Sequence, residues 1–139
     1  MDSIECASQF VEAYNSSDWD RLKESFAPDA VYDEVGTRRR LQGPDEILRA
    51  NQGWKQAFPD SKGSITGAFA DDGDVMLEIT WEGTHTGPLE SPQGLIPPSG
   101  KHFEVRACQV VKVEQDKIKE DHHYFDMVSL LDQLGVTPG

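Results

Sequence analysis

Val75-Met76-Leu77-Glu78-Ile79-Thr80-Trp81-Glu82-Gly83-Thr84-His85 alternates apolar and polar residues along its length. Successive side chains of a strand point to opposite faces, so this alternation predicts a half-buried strand with Val75, Leu77, Ile79 and Trp81 on one side. His85 continues the same phase and is expected to point inward at the strand end. Asp71-Asp72-Gly73-Asp74 just before it is a hairpin signal, which makes Ile65 to Ala70 the preceding strand. Downstream, Phe103 to Val113 alternates again, and a turn at Glu114-Gln115-Asp116 leads into a last strand, Lys117 to Phe125. Met127 to Leu134 is a short amphipathic tail. The segment Pro88 to Lys101 between strands is rich in Pro and Gly and is expected to be an irregular loop near a functional rim.

The N-terminal half has the helical period instead. Ile4, Ala7, Phe10, Val11 and Tyr14 recur on one stripe, so Ser3 to Asn15 is expected as a helix capped by Ser3. Ser16-Ser17-Asp18 breaks it and caps a second helix with Trp19, Leu22 and Phe26 on the buried side, stopped by Pro28. Ala30 to Val35 reads as a short strand. Gly43-Pro44-Asp45 opens a third helix through Ile47, Leu48, Trp54 and Ala57 to Phe58, where Pro59-Asp60 ends it. Gly53 in its interior costs about 1 kcal/mol relative to Ala. Helices first and a run of turn-connected strands afterwards predict an α+β fold over residues 1–139 as a single domain. A bent antiparallel sheet would wrap over the three helices and leave a pocket between.

The chain has 139 residues, a net charge of −12 and a sequence pI near 4.6. No basic stripe is available to neutralise phosphates, which argues against nucleic acid and against anionic membrane surfaces. Arg38-Arg39-Arg40 reads as a solvated turn or strand edge. Met1 to Glu5 lacks the positive start and apolar run of a secretory signal, and Cys6 and Cys108 have no metal or redox spacing. Both are expected as buried thiols in a cytoplasmic protein.

The candidates for chemistry cluster on the strands. His85, the run Glu120-Asp121-His122-His123-Tyr124-Phe125-Asp126, and the aromatic residues Tyr14, Trp54, Trp81 and Tyr124 describe an aromatic-walled cavity with acid and base groups. Two readings of the last strand are open. Composition favours Ile118, Glu120, His122, Tyr124 and Asp126 as the inner set, because the other parity carries lysines. A β-bulge would shift the parity and bring His123 inward instead. A metal site from His85, His122 and Asp126 has no supporting spacing.

The order of elements, together with Ala57-Phe58-Pro59-Asp60, Gly83-Thr84-His85-Thr86-Gly87, Pro98-Ser99-Gly100-Lys101 and the closing Gln133-Leu134-Gly135, resembles the SnoaL-like polyketide cyclases of the nuclear transport factor 2 superfamily. The resemblance spans nearly the whole chain. It implies a cone-shaped α+β fold and an intramolecular aldol cyclisation or isomerisation of an apolar carbonyl compound, with no metal or organic cofactor. It also implies a homodimer paired through the outer sheet face, here Met76, Thr80, Cys108 and Val110. The family's catalytic aspartate falls on His123, so this chain departs from the pattern there. An imidazole is better matched to neutral pH than an ordinary carboxylate. The expected catalytic set is therefore His123, Asp126 and His85, and the expected substrate contacts are Tyr14, Asn51, Trp54, Trp81 and Tyr124. The superfamily leaves two alternatives: a non-catalytic small-molecule-binding domain, and an epoxide-hydrolase-like site with a water held by Asn51, Tyr14 and Asp126.

Overall fold

The computed structural model describes residues 1–92 and 94–136. Helix α1 (Ser3–Ser16) is capped by Asp2, whose carboxylate accepts from the Glu5 N–H, rather than by Ser3. Ser17 takes a left-handed conformation and ends the helix, and Asp18 caps α2 (Trp19–Glu24). The second helix is shorter than its apolar spacing suggests. Phe26 does not belong to it but begins strand β1 (Phe26–Glu34), because Pro28 has no N–H to continue a helix and suits an irregular strand. A 3-10 turn over Val35–Thr37 leads to β2 (Arg39–Gln42), so the Arg38-Arg39-Arg40 run forms the edge of the sheet. Helix α3 (Gly43–Ala57) follows with Pro44 in its first turn.

The long strands are β3 (Lys62–Asp71), β4 (Asp74–Thr84), β7 (His102–Glu114) and β8 (Lys117–Phe125), with α4 (Met127–Gln133) closing the chain. Between β4 and β7, the segment expected to be irregular carries a small hairpin, β5 (Leu89–Ser91) paired with β6 (Gly94–Ile96). The main sheet has six strands in the order β2-β1-β8-β7-β4-β3. All its neighbours are antiparallel except β1 and β8, which run parallel. That pair is a departure from the purely antiparallel expectation. It arises because β1 and β8 come from opposite ends of the chain and need no tight connection.

The bent sheet wraps over the helices. Phe10, Val11 and Leu22 pack against Tyr32, Leu77, Ile79, Val111 and Ile118 in one apolar cluster. A second cluster joins Ala57 and Phe58 at the end of α3 to Phe103, Val105, Leu130 and Leu131. The joint between them is tight. Thr86 and Gly87 donate their backbone N–H groups to the Ala57 carbonyl, and a Cβ on Gly87 would fall 2.0 Å from the Gln56 carbonyl oxygen. No helix among the described residues is long and apolar enough to cross a membrane.

Register decides which side of β8 faces inward. Lys112 pairs with Glu120 but Val113 pairs with Ile118, so Lys119 is an extra residue and the strand carries a bulge. Before it Ile118 is buried; after it Asp121 and His123 are buried, while His122 and Tyr124 turn outward. Each reading of the strand therefore holds for one side of the bulge.

Asp121 on β8 and Gln109 on β7 are wholly buried, and among the described residues neither side chain finds a hydrogen-bond partner. Burial pushes the Asp121 carboxyl well above the usual carboxylate range, because the ion would sit away from water and donors. In the unfolded chain the group ionises near pH ~4, whereas the folded chain keeps the proton; its contribution to stability therefore declines as pH rises from about 4 toward its folded pKa. Asp121→Asn is expected to raise the urea midpoint at about pH 7.5 and to give little gain near pH ~4. Equal shifts at both pH values would mean that Asp121 does not titrate differently in the folded chain.

Candidate functional site

Inside the cone a mostly apolar cavity of about 60 Å³ is built from every layer of the fold. Phe10 and Tyr14 reach it from adjacent turns of α1, and Asn51, Trp54 and Phe58 from one face of α3. Strand alternation supplies Tyr32 and Glu34 from β1, Phe103 and Val105 from β7, and His123 and Phe125 from β8. Trp81 from β4, Ser61 after α3, and Leu130 from α4 complete the wall.

His123 has two ring contacts. The Trp81 indole N–H donates to its Nε2 at 3.2 Å, and its Nδ1 lies 2.6 Å from the Tyr32 hydroxyl. An indole nitrogen donates only, so Nε2 is unprotonated and the proton of the neutral ring sits on Nδ1, donated to Tyr32. Burial pushes the imidazole down to about 4, with the Glu34 charge pulling it the other way. The match to neutral pH expected of an imidazole is thus removed: the desolvated ring is about as basic as an ordinary carboxylate.

Glu34 is the buried carboxylate of the cavity. Its Oε1 accepts from the Thr37 hydroxyl at 2.6 Å and from Arg39 Nη2 at 2.7 Å and Nε at 3.2 Å, while Oε2 accepts from the Trp54 indole at 3.0 Å. Across the cavity, the Tyr14 hydroxyl lies 2.7 Å from the Ser61 hydroxyl. Burial pushes the Tyr14 phenol up to about 12, the Ser61 hydrogen bond opposing and Glu34 adding to the rise, so it remains a proton donor. The Asn51 amide gives one N–H to the Ile47 carbonyl at 2.8 Å, which leaves its second N–H free to point elsewhere.

Five of the residues expected from the sequence line this cavity: Tyr14, Asn51, Trp54, Trp81 and His123. Three do not. His85 is wholly buried, but in the joint between α3 and the Pro97–Lys101 turn. Its Nδ1 accepts from the Ser99 N–H at 3.1 Å and lies 2.9 Å from the Ser99 hydroxyl, and its ring packs 5.2 Å from Phe58. Tyr124 is 47% exposed on the outer face, opposite Cys108. Asp126 caps α4, accepting from the Ser129 N–H at 3.2 Å. Cys108 also lies on that outer face and is only partly buried, unlike Cys6.

The sequence reading missed Glu34, Tyr32 and Ser61. Glu34 and Tyr32 were within reach of it, since Ala30, Tyr32 and Glu34 share a parity in β1 with two apolar residues ahead of the carboxylate. His122 pairs outward with Asp33 at 3.3 Å, and no group of three His, Cys, Asp or Glu side chains among the described residues is placed to hold a metal ion.

With this geometry in view, comparison with solved structures is informative. IdmH of Streptomyces antibioticus, for which a polyketide cyclase role is proposed, is 26% identical, with a TM-score of 0.83 over 98% of this chain and 100% of that one. A Catenulispora acidiphila protein with a ketosteroid isomerase-like fold, crystallised with trimethylamine, is 19% identical with a TM-score of 0.81, covering 95% of this chain and 93% of that one. A Mycobacterium tuberculosis epoxide hydrolase is similar at 21% identity and a TM-score of 0.73, covering 95% and 88% of the two chains. The last two likenesses speak for the fold alone. No match is found among curated proteins. The sequence model of the SnoaL-like polyketide cyclases matches residues 4–134, and the chain belongs to that family.

Proposed function

We propose that this protein catalyses proton transfer on an apolar carbonyl compound, as an aldol cyclase or isomerase that works with protein groups and no cofactor. The observation that carries this reading is the ordered tautomer of His123: a neutral imidazole in an apolar cavity with its basic nitrogen, Nε2, held only by a long indole hydrogen bond. A substrate C–H displaces that bond and gives its proton to Nε2. The resulting enolate oxygen takes hydrogen bonds from Tyr14 and from the Trp81 N–H, which protonation of Nε2 has set free. For cyclisation the enolate carbon then attacks a second carbonyl of the same molecule, one C–C bond forms, and the new alkoxide recovers the proton from His123. Tyr32 holds the ring by its Nδ1 side throughout. Glu34 aims Trp54 and is fully engaged by its donors, so it serves as an anchor rather than a base.

The epoxide-hydrolase alternative loses support from the positions of its parts: Asn51 and Tyr14 border the cavity, but Asp126 caps α4. A non-catalytic binding role uses the same walls without the proton step, and activity measurements separate it from the enzyme.

The outer face of the sheet supports a homodimer. Phe69, Met76 and Val110 lie in register across β3, β4 and β7, and they are 60%, 44% and 38% exposed. Such a row is an unusual apolar feature for a solvated sheet face. Sedimentation at micromolar concentration is expected to give a dimer, and Met76→Lys is expected to shift it toward monomer; a wild-type monomer would remove the proposal.

For the chemistry, exchange of the α-protons of a cyclic 1,3-diketone or aryl ketone in deuterated water is the direct readout. His123→Ala is expected to slow it by roughly 10²–10⁴-fold, the worth of a general base, and Tyr14→Phe by roughly 10²-fold, as for a lost oxyanion donor. Full exchange in both variants would show that the base lies elsewhere. Because the free base must be present, kcat/KM is expected to fall on the acid side with an apparent pKa near 4, well below that of a solvated histidine. Stability moves the same way. The folded ring resists protonation that the unfolded one accepts, so stability is complete above about pH 6.5 and declines by about 3 kcal/mol as pH falls to 4. His123→Gln would flatten that part of the stability profile.

A further inference from the structure

The cavity is too small to enclose a substrate with two carbonyl groups and the chain that joins them, and a second depression adjoins it. A groove of about 500 Å³ runs between α3 and the β5–β6 hairpin, bordered by Arg39, Arg49, Gly53, Trp54, Leu89 and Leu95. The Trp54 indole is a wall of both, and Arg39 on the groove side binds Glu34 on the cavity side at 2.7 Å. Trp54 and the Arg39–Glu34 pair thus connect the linings of the two spaces.

The charge of this groove stands against the rest of the molecule. The chain carries −12 overall, yet two guanidinium groups border this surface. Arg39 spends its Nε and one Nη2 proton on Glu34. Arg49 makes no close ion pair among the described residues; Asp45, one turn before it, is paired with Lys23 at 2.7 Å and feels the Arg49 charge from farther away. An arginine without a close ion-pair partner, in a groove also lined by Leu89 and by Leu95, which is 67% exposed, suits an anion on a hydrocarbon tail. Glu90 on the hairpin side adds one negative charge to the groove, which disfavours a dianion such as phosphate relative to a monoanion.

Gly53 supplies an independent observation. It lies in the interior of α3, where glycine is unfavourable, and a Cβ built on it would meet nothing within 4 Å. No close packing or positive φ requires glycine there. What its missing side chain does provide is an open floor beneath the groove, next to Trp54.

We infer that the groove is a second substrate subsite, which binds a carboxylate through Arg49, assisted by Arg39, while the ketone end of the same molecule passes Trp54 into the cavity. This rests on the proton-transfer reading of the cavity and names its substrate class: aromatic or polycyclic keto acids rather than neutral ketones.

The test uses 4-(6-acetyl-2-naphthyl)butanoate, whose small methyl ketone end can enter the cavity while the rest lies in the groove, and its methyl ester as probes, with affinity measured by calorimetry and α-proton exchange by NMR. Wild-type protein is expected to bind the acid at least roughly tenfold tighter than the ester, with a preference that shrinks as salt is added. Arg49→Gln should bring the acid down to the ester's affinity. Gly53→Leu should weaken acid binding at least roughly tenfold while its melting temperature stays equal to or above that of wild type, so that lost binding cannot be misfolding. Equal affinity for acid and ester in the wild type, no binding of either at millimolar concentration, or an acid preference that survives Arg49→Gln would each overturn the subsite. Arg49-dependent binding of the acid with no exchange of its α-protons would instead overturn the catalytic reading and leave the subsite standing.

Discussion

The buried Glu34 carboxylate is the constraint on which the site's arrangement depends. An ion in an apolar cavity is costly unless its oxygens are taken up by donors. Here one oxygen takes Thr37 and the Nε and Nη2 groups of Arg39, and the other takes Trp54. Those partners come from the turn after β1, from the edge strand β2 and from α3, so one carboxylate ties three separate elements together. It sets the angle of the Trp54 indole, which lines both cavity and groove, and it holds Arg39 where an anion can meet it. Removing one partner would leave charge without its counterpart, which typically costs roughly 3–5 kcal/mol in a buried pair; the partial exposure of Arg39 lowers that figure here.

The second determinant is the single extra residue in β8. Without the Lys119 bulge, the parity that buries Ile118 would bury His122 and Tyr124 and turn His123 to solvent. A bulge re-aims a side chain at almost no cost in residues, and β1 is irregular at the same place, its register with β8 shifting between Phe26 and Val31. His123 thereby comes to lie against Tyr32 and Trp81. The same enclosure that orients the ring strips its basicity, so this histidine ends with about an ordinary carboxylate's proton affinity.

How much of this was legible in the sequence follows from the range of the forces involved. The alternation of Val75, Leu77, Ile79 and Trp81, the stripe of Phe10 and Tyr14, and the turn at Asp72-Gly73 are local patterns, and each reports its element directly. The parallel pairing of β1 with β8 joins residues about ninety positions apart and leaves no local trace. Phe26 was misread because an aromatic four residues after Leu22 fits a helix stripe as well as a strand start. The β5–β6 hairpin was hidden by the prolines around it. Glu34 was overlooked because a carboxylate on a strand is ordinarily solvated; only its four donors, from three elements, explain its burial.

The residues by which the chain resembles its family explain why fold was easier to read than chemistry. Ala57, Phe58 and Asp60 meet Thr84, His85, Thr86 and Gly87 in one joint: Asp60 accepts from the Thr84 N–H and hydroxyl, Ala57 from Thr86 and Gly87, and Phe58 packs on His85 and Phe103. Ser99 completes the joint from the facing turn. These contacts fasten the end of α3 to the end of β4 and the loop that follows it. His85 continues the inward phase of β4 and is buried as that phase implies, but it is buried in this joint and not at the cavity. A joint of this kind tolerates few replacements, since a Cβ at position 87 would strike backbone, whereas a cavity-wall side chain such as that of His123 makes no backbone contact that fixes its type. Motifs whose residues are fixed by geometry therefore announce the architecture, and the reaction has to be read from the side chains that the architecture merely aims.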